Sequence, residues 1–529
     1  MISEPPRASS SRTAQTTEVG GRPYEAPSVT EKHVRTDEVR TDLRARTLRS
    51  GAVMMAAQPL RLILGVGATA LLARLLSPSD FGLIAMVTPL LPIIAALQNA
   101  GFETATVQRE SATHDQVSVL FWLGLRINLA LVAFLALAGP VLAWLYGHGE
   151  LMGITWTLAG GILAVSLASQ HESLMKRQMR FEPLTLIDLS SLAAGVGAAI
   201  AAALLGAGYW ALVLEIVVMQ TVRSGLLWMV CRWRPARPVR SRGLDATGRA
   251  MVSYGLHLTG HRLLTRTGAQ LDRVLVGALS GATALGLYDM ARRWAFFPFN
   301  KVYEPIFDVA VSSFSRAQHD PSLYRTYVRR GVLPVFALAL PALAFAFAEA
   351  DAIILLLLGE QWGDVVPLFQ LLSVGVYVGT LQRITKWIYL AEGTTARQLR
   401  WGMISTPILI SAVAIGAALG GPRGIALGFM LATVALTGPA VWYCLKPSPL
   451  SMQDLIAAVW RPFTASIAAA GLLLVAGEVL PAPDALLSYV VLRAGLYGGL
   501  YAVLWHILPG GLQASRDLLR FAREIRSPA

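Results

Sequence analysis

Residues 254–281, YGLHLTGHRLLTRTGAQLDRVLVGALSG, form an apolar stretch long enough to cross a bilayer, yet they carry Arg262, Arg266 and Arg273. In a helix the three arginines fall within ~40° of one another and cover ~16 Å of a ~30 Å hydrocarbon core. A charge in hydrocarbon is costly, so such residues normally face protein or a water-filled cavity. The segment predicts a membrane helix with an arginine ladder on one face. Snorkelling to the interface, or pairing with acids on neighbouring helices, are the alternatives.

Composition extends this prediction to the whole chain. Of its 529 residues, 54% are hydrophobic and only 15% are charged, whereas soluble proteins average about 25% charged residues. From residue 48 onward, apolar runs follow one another in close succession. We therefore predict an all-α polytopic membrane protein with about fourteen transmembrane helices.

The connections between these helices alternate in charge. The links YGHGEL, LGAGY, SGAT, GEQWGD, GGPRG and PAPDA contain one basic residue, Arg423, whereas arginine and lysine crowd the tails and the intervening links. Basic links mark the cytoplasmic side, so both termini are predicted to be cytoplasmic. The net charge of +13 is therefore explained by topology. No nucleic-acid partner is expected, because such a partner would favour one clustered basic patch.

An internal repeat appears when the chain is shifted by 204 residues. ARLLSPSDFGLIAM, residues 73–86, then lies over ALSGATALGLYDM, residues 278–290, with Gly82 on Gly286 and Met86 on Met290. Two six-helix halves in the same orientation follow, and such repeats typically place a site at their interface. The same shift brings Arg61 beside Arg266.

The chain is predicted to divide into six regions. The first 47 residues lack the apolar core that a signal peptide needs. The regions are a disordered cytoplasmic tail (1–47), an N-terminal six-helix bundle (48–230), a basic cytoplasmic linker (231–250), a C-terminal six-helix bundle (251–445), two additional transmembrane helices (446–508) and a cytoplasmic amphipathic tail (509–529).

Three segments resemble a known family. LLARLLSPSDFGLIAM, LLGEQWGDVVPLFQLLS and FSRAQHDPSLYRTYVRR are similar to the polysaccharide-transporter branch of the multidrug/oligosaccharidyl-lipid/polysaccharide exporter superfamily. The resemblance implies two six-helix bundles around a central cavity that opens alternately to each side. It also implies a flippase in a bacterial inner membrane, moving a polyprenyl-pyrophosphate oligosaccharide for lipopolysaccharide, capsule or exopolysaccharide without breaking a covalent bond.

Candidate site residues come from the faces of the helices. On the eighth helix Arg293, Asn300 and Glu304 share one face. Arginine suits an anionic pyrophosphate, because its planar fork can bond two phosphate oxygens. The expected substrate-binding cations are Arg61, Arg262, Arg266, Arg273, Arg292, Arg293 and Lys301, and the candidate ion-coupling acids are Glu304 and Asp308.

Other functions receive less support. Every external link is short, whereas polytopic glycan-handling enzymes usually carry a sizeable external domain, so we expect no enzyme and no catalytic residues. Cys231 and Cys444 have no neighbouring ligand at metal-binding spacing, and the chain has no phosphate-loop motif; no metal and no cofactor are expected. A transporter of another lipid-linked cell-wall precursor and a glycosyltransferase or polymerase remain alternatives. The expected partners are the lipid-linked oligosaccharide, membrane lipids, and a polysaccharide polymerase or glycosyltransferases.

Two basic segments are predicted to be amphipathic. One begins after Pro321, where Leu323 and Tyr327 alternate with arginines, and the other is LQASRDLLRFAREIR near the C-terminus. Helices of this kind lie at the level of the lipid headgroups. We expect both to anchor the protein at the membrane surface.

Overall fold

A computed structural model describes residues 43–98, 106, 113–237, 270–479 and 485–526. Within these residues the chain is helical, with no β-strand. The helices are α1 Leu43–Leu75, α2 Pro78–Val87, α3 Leu90–Gln98, α4 His114–Tyr146, α5 Glu150–Arg177, α6 Phe181–Leu204, α7 Trp210–Cys231, α8 Leu271–Ala317, α9 Pro321–Ala348, α10 Ala350–Leu358, α11 Val365–Ala391, α12 Thr395–Leu445, α13 Met452–Val479, α14 Leu486–Ile507 and α15 Gly511–Arg526.

Twelve of the described helical segments are long and apolar enough to cross a membrane. This confirms the all-α polytopic class. Helix α12 has 51 residues and breaks at Gly420 and Gly421; a straight helix of that length would measure ~77 Å, more than twice the hydrocarbon thickness. Most of the expected seventh crossing lies in 251–269, outside the described residues, so the number fourteen stays a prediction.

Local sequence sets where several helices begin and end. Helix α2 starts with Pro78 after a capping box, in which Ser77 and Asp80 satisfy each other's backbone N–H groups. Helix α9 starts with Pro321, and the preceding Asp320 accepts hydrogen bonds from the N–H groups of Leu323 and Ser322. The backbone N–H of Leu323, followed by the Ser322 donors, holds the pKa of Asp320 below its usual range.

The described helices form two groups. In the first half, α1–α7, helix α7 packs on α5 and α6, α1 on α6, and α4 on α5. In the second half, α8–α12, helix α8 packs on α9, α11 and α12. Helix α1 begins at Leu43, a few residues inside the segment assigned above to the N-terminal tail. The α13–α14 pair covers the second half through contacts with α9.

Helix α8 is interrupted at Gly281, and the two halves meet where α2 crosses the part of α8 that directly follows this residue. A Cβ atom built on Gly82 would lie 1.8 Å from the carbonyl oxygen of Ala282, and one on Gly286 would lie 1.9 Å from that of Pro78. Adding 204 to Pro78 and Gly82 gives Ala282 and Gly286, so each contact maps onto the other. The crossing has the reciprocity expected of a duplicated sequence.

A second set of contacts closes the same end of the molecule. The indole N–H of Trp362 donates to the carbonyl oxygen of Ala73 at 2.8 Å, and the Gln361 side chain donates to the carbonyls of Ala73 and Leu76. On the other half, Gly277, which is Ala73 shifted by 204, lies against the ring of Tyr146. We call these contacts and the crossing the seal. The end that carries it, including links 280–283 and 359–364, is the arginine-poor end.

The C-terminal helices are tied to the second half by a buried ion pair. Arg493 of α14 donates through Nε to Glu349 at 2.7 Å, and their side chains are only 7% and 4% exposed. Glu349 is the single residue between α9 and α10. The Tyr377 hydroxyl of α11 lies 2.7 Å from the Ser466 hydroxyl of α13. These buried polar contacts fix the orientation of α13 and α14 on the second half.

The seal predicts that alanine in place of Gly82 and alanine in place of Gly197 have different effects on stability. Gly82→Ala places a methyl group against a backbone oxygen that cannot move alone, so we expect it to lower the stability of the purified protein by about 1 to 3 kcal/mol. A Cβ atom on Gly197, within α6, has no neighbour within 4 Å. Gly197→Ala should therefore leave stability unchanged or raise it slightly. Thermal unfolding in detergent measures both, and equal effects would contradict the described crossing.

Candidate functional site

A cavity of about 400 Å³ lies along α8. It is lined by Gln270, Arg273, Arg292, Arg293, Phe296, Phe297, Asn300, Lys301 and Glu304. A smaller cavity of about 150 Å³ adjoins it and shares Arg293, Phe297 and Lys301, while Arg61, Gly65 and Thr69 of α1 form its other side. Because α1 belongs to the first half and α8 to the second, the combined space, here called the central cavity, lies between the halves.

Helical spacing explains how α8 supplies most of this lining. Arg293, Phe297, Asn300 and Glu304 follow one another at intervals of three or four residues, which places them on one face. Arg293 is twelve residues beyond the break at Gly281, or ~18 Å along the helix. The central cavity therefore begins about midway through a bilayer. It extends away from the arginine-poor end.

Arg273 and Arg292 each form an ion pair across the Gly281 break. An Arg273 nitrogen lies 2.7 Å from Asp289, and an Arg292 nitrogen lies 2.9 Å from Asp272. Gly281 has φ 81° and ψ −177°, values that suit glycine, and the chain doubles back there so that residues on either side meet. Pairing with acids is one of the alternatives that the sequence leaves open for the arginine ladder. For Arg273 the structure shows such a pair, with Asp289, and the partner of Arg292 is Asp272.

Arg61 belongs to a chain of charges inside the first half. It lies 2.8 Å from Asp188, which is also 2.9 Å from Arg223. Arg223 in turn lies 2.8 Å from Glu172, and Lys176 is at the same distance from Glu172. The network connects α1, α5, α6 and α7, and it places the Arg61 guanidinium at the edge of the central cavity with a carboxylate behind it.

Arg293 and Lys301 differ from these paired cations. Both are exposed, and neither forms an ion pair with any residue that the structure describes. The charge of Arg293 acts on the Glu215 carboxyl group of α7, in the first half. The Lys301 ammonium lies 5.5 Å from the ring centre of Phe297, a favourable cation–π distance. These two positive charges are the ones most available to a ligand.

Aromatic side chains, which are not among the site residues expected from the sequence, complete the lining. The guanidinium of Arg383 on α11 lies 4.7 Å from the ring centre of Phe296, and that of Arg292 lies 5.4 Å from the same ring. The signal is present in RRWAFFPFN, residues 292–300, where three phenylalanines follow within six residues of two adjacent arginines. The central cavity thus combines cations with flat apolar surfaces.

The remaining expected residues divide into two groups. Arg262 and Arg266 lie in 238–269, outside the described residues, and the side chain of Asp308 is likewise outside them. Glu304 lines the central cavity and is exposed. Among the described residues, no group of three or more histidine, cysteine or acidic side chains could hold a metal ion. The described lining therefore carries five cations, at positions 61, 273, 292, 293 and 301, and one acid.

Comparison with known proteins identifies the family. The family described as "Polysaccharide biosynthesis protein" matches residues 71–367, more than half of the chain. The protein therefore belongs to this family. The match includes the whole of the first and third segments that carry the resemblance and residues 357–367 of the second, and it confirms the relationship they indicate.

Relatives and a solved structure extend the comparison. The teichuronic acid biosynthesis protein TuaB of Bacillus subtilis is 25% identical over 69% of this chain and 75% of its own. The succinoglycan biosynthesis transport protein ExoT of Rhizobium meliloti is 27% identical over 66% of this chain and 69% of its own. The lipid II flippase MurJ, in an inward closed conformation, is 12% identical with a TM-score of 0.66, covering 89% of this chain and all of that one. The last similarity shows that the fold is shared.

The adjacent residues Arg292 and Arg293 give a matched test of the ion pair between Arg292 and Asp272. Arg292→Ala leaves the Asp272 carboxylate, 11% exposed, without its cation, so we expect a loss of about 2 to 4 kcal/mol in stability. Arg293→Ala removes no described ion pair and should leave stability nearly unchanged. Thermal unfolding of the purified variants measures the difference. Asp272→Asn should restore part of the stability lost in Arg292→Ala, and the absence of any rescue would contradict the pairing.

Proposed function

We propose that the protein is a flippase that moves a polyprenyl-pyrophosphate-linked oligosaccharide repeat unit across a bacterial inner membrane. One observation carries the proposal: the central cavity lies between the two halves and presents, beside Phe297, Arg293 and Lys301, which form no ion pair with the residues that the structure describes. A ligand that fits must be anionic and must also bring apolar surface. A pyrophosphate joined to sugars and a polyprenyl chain meets both requirements.

Each class of lining residue has a role in this proposal. Arg293 bonds two phosphate oxygens with its planar fork, whereas Lys301 contributes a point charge. Phe296 and Phe297 offer faces on which the apolar sides of sugar rings can pack. Arg61, Arg273 and Arg292 line the same space with guanidinium groups that their carboxylate partners hold in place. If Arg262 and Arg266 continue this lining, the positive region is longer than the described part.

The seal and the central cavity support a direction of movement. By the positive-inside rule, the basic links lie in the cytoplasm and the arginine-poor end faces outward. The seal then closes the outer side, and the central cavity receives its substrate from the cytoplasmic side. Rocking of the two halves about their crossing would open the seal and release the substrate outward, as in other repeat-built transporters. Glu304, the acid in the described lining, is the candidate for ion coupling.

The family and the relatives favour a polymer repeat unit over another cell-wall precursor. TuaB and ExoT are named for the biosynthesis of teichuronic acid and succinoglycan, and ExoT is named a transport protein. Translocation requires no bond to break, so the proposal includes no catalytic residue and no cofactor. Assembly with a polymerase or glycosyltransferases remains a prediction from the resemblance.

Reconstitution tests the proposal directly. Purified protein in liposomes should move a defined polyprenyl-pyrophosphate-linked oligosaccharide to the other leaflet, and mass spectrometry should find its mass unchanged. Arg293→Ala should weaken binding roughly tenfold to a hundredfold, because it removes a charge-assisted contact worth about 1.5 to 3 kcal/mol. Lysine at this position should restore part of the rate, and glutamate should be the most damaging substitution.

Arg423→Ala is the matched control. Arg423 is 69% exposed at the arginine-poor end and lies 3.9 Å from Asp364, a surface pair expected to contribute little. Its replacement should leave transport at the wild-type rate. A lengthened glycan or released phosphate would contradict the proposal and indicate an enzyme. Normal transport by Arg293→Glu would exclude the central cavity as the substrate path.

A further inference from the structure

A second basic cavity lies at the end of the molecule opposite the seal. Helices α9, α13 and α15 enclose about 270 Å³, and this space shares no lining residue with the central cavity. We call it the arginine pocket. Its polar lining consists of Thr326, Arg329, Arg330, Arg461, Gln513 and Asp517.

Side-chain packing fixes the wall that α15 contributes. Leu333, Ala337, Trp505 and Ala514 form a buried cluster, and Leu518 packs against it. The Trp505 indole N–H also donates to the carbonyl oxygen of Gly511 at 3.1 Å. The sequence predicts that this amphipathic segment anchors at the membrane surface. In the structure part of its apolar face packs on α9 and α14, which joins the two predicted amphipathic segments into one site.

Arg461 is held in position before any ligand arrives. Its Nε donates to the carbonyl oxygen of Pro509 at 2.7 Å. The following residue, Gly510, has φ 76°, and a Cβ atom there would lie 2.6 Å from Nη2 of Arg461. The turn between α14 and α15 therefore leaves room for this guanidinium only because residue 510 is glycine. Because the Arg461 side chain is already held in place, it loses little conformational entropy when it binds an anion.

The charges of the arginine pocket are unbalanced. Among the described lining residues, Asp517 is the one acid, against three arginines. Arg329 and Arg330 are exposed, and neither forms an ion pair within the described part of the chain. Three guanidinium groups beside one carboxylate leave an excess of positive charge, and a phosphate group would offset it by accepting a forked pair of hydrogen bonds.

Apolar side chains around the arginine pocket indicate its level in the bilayer. Leu323 and Tyr327, on the first turns of α9, are 44% and 43% exposed, and Leu512 at the start of α15 is 61% exposed. Apolar groups interleaved with arginines at the ends of membrane helices suit the headgroup region. The anion nearest such a position is a lipid phosphate. We propose that the arginine pocket binds the phosphate of an anionic phospholipid headgroup.

Native mass spectrometry of the full-length protein tests this proposal. Phosphatidylglycerol and phosphatidylcholine with identical acyl chains are titrated separately, and wild-type protein should retain phosphatidylglycerol about tenfold more strongly. The double substitution Arg329→Gln/Arg330→Gln should remove most of that preference. Arg516→Gln is the matched control, because this exposed arginine lies on α15 but not in the lining; it should keep the preference.

A second variant gives a test in the opposite direction. Asp517→Asn removes the acid from the lining, so it should increase phosphatidylglycerol retention severalfold, whether or not the double variant folds. Equal retention of both lipids by the wild type, or no gain in Asp517→Asn, would overturn the proposal. Displacement of phosphatidylglycerol by excess sodium phosphate would also overturn it, since the site would then be one for a soluble anion.

Discussion

Close approach of backbone to backbone at the arginine-poor end is the constraint on which the rest of the structure depends. Gly82 and Gly286 bring α2 and α8 together without intervening side chains, each against a carbonyl region of the other helix. Trp362 and Gln361 add hydrogen bonds to carbonyl oxygens at the end of α1. Since these contacts hold the halves together at one end, the central cavity lies between the halves beyond them, from about the middle of the bilayer.

Electrostatics then determines what that space can hold. Most of the charges described inside the helices are compensated nearby: Arg273 by Asp289, Arg292 by Asp272, and Arg61 and Arg223 by Asp188. Removing one member of such a pair leaves a costly unpaired charge, so these arginines serve the fold as well as the cavity. Arg293 and Lys301 have no described ion pair to maintain. A membrane protein retains such charges at a cost, and an anionic substrate gives a reason for them.

The sequence predicts where the helices lie better than it predicts which side chains on different helices contact each other. Apolar runs located the helices, and the 204-residue shift aligned the two residues, Gly82 and Gly286, that meet at the crossing. Helical spacing also grouped Arg293, Asn300 and Glu304, which do line one cavity. The partners Asp272 and Asp289 were missed, because their contacts require the chain to reverse at Gly281. Periodicity within one helix carries no information about such a reversal. The packing of Ala514 and Leu518 on α9 was equally hidden, since an amphipathic face does not reveal whether lipid or protein covers it.

Movement of the halves about the seal is the central claim, and a reversible cross-link across the seal tests it most directly. Leu76 and Gln361 lie on opposite halves, with the Gln361 amide nitrogen 3.1 Å from the Leu76 carbonyl oxygen. Cysteines at both positions, in a chain without Cys231 and Cys444, can be joined by a short cleavable thiol reagent, with each single-cysteine variant as control. We predict that the joined protein in liposomes stops moving lipid-linked oligosaccharide and regains the rate when the reagent is cleaved. Transport at the uncross-linked rate by fully joined protein would contradict the account.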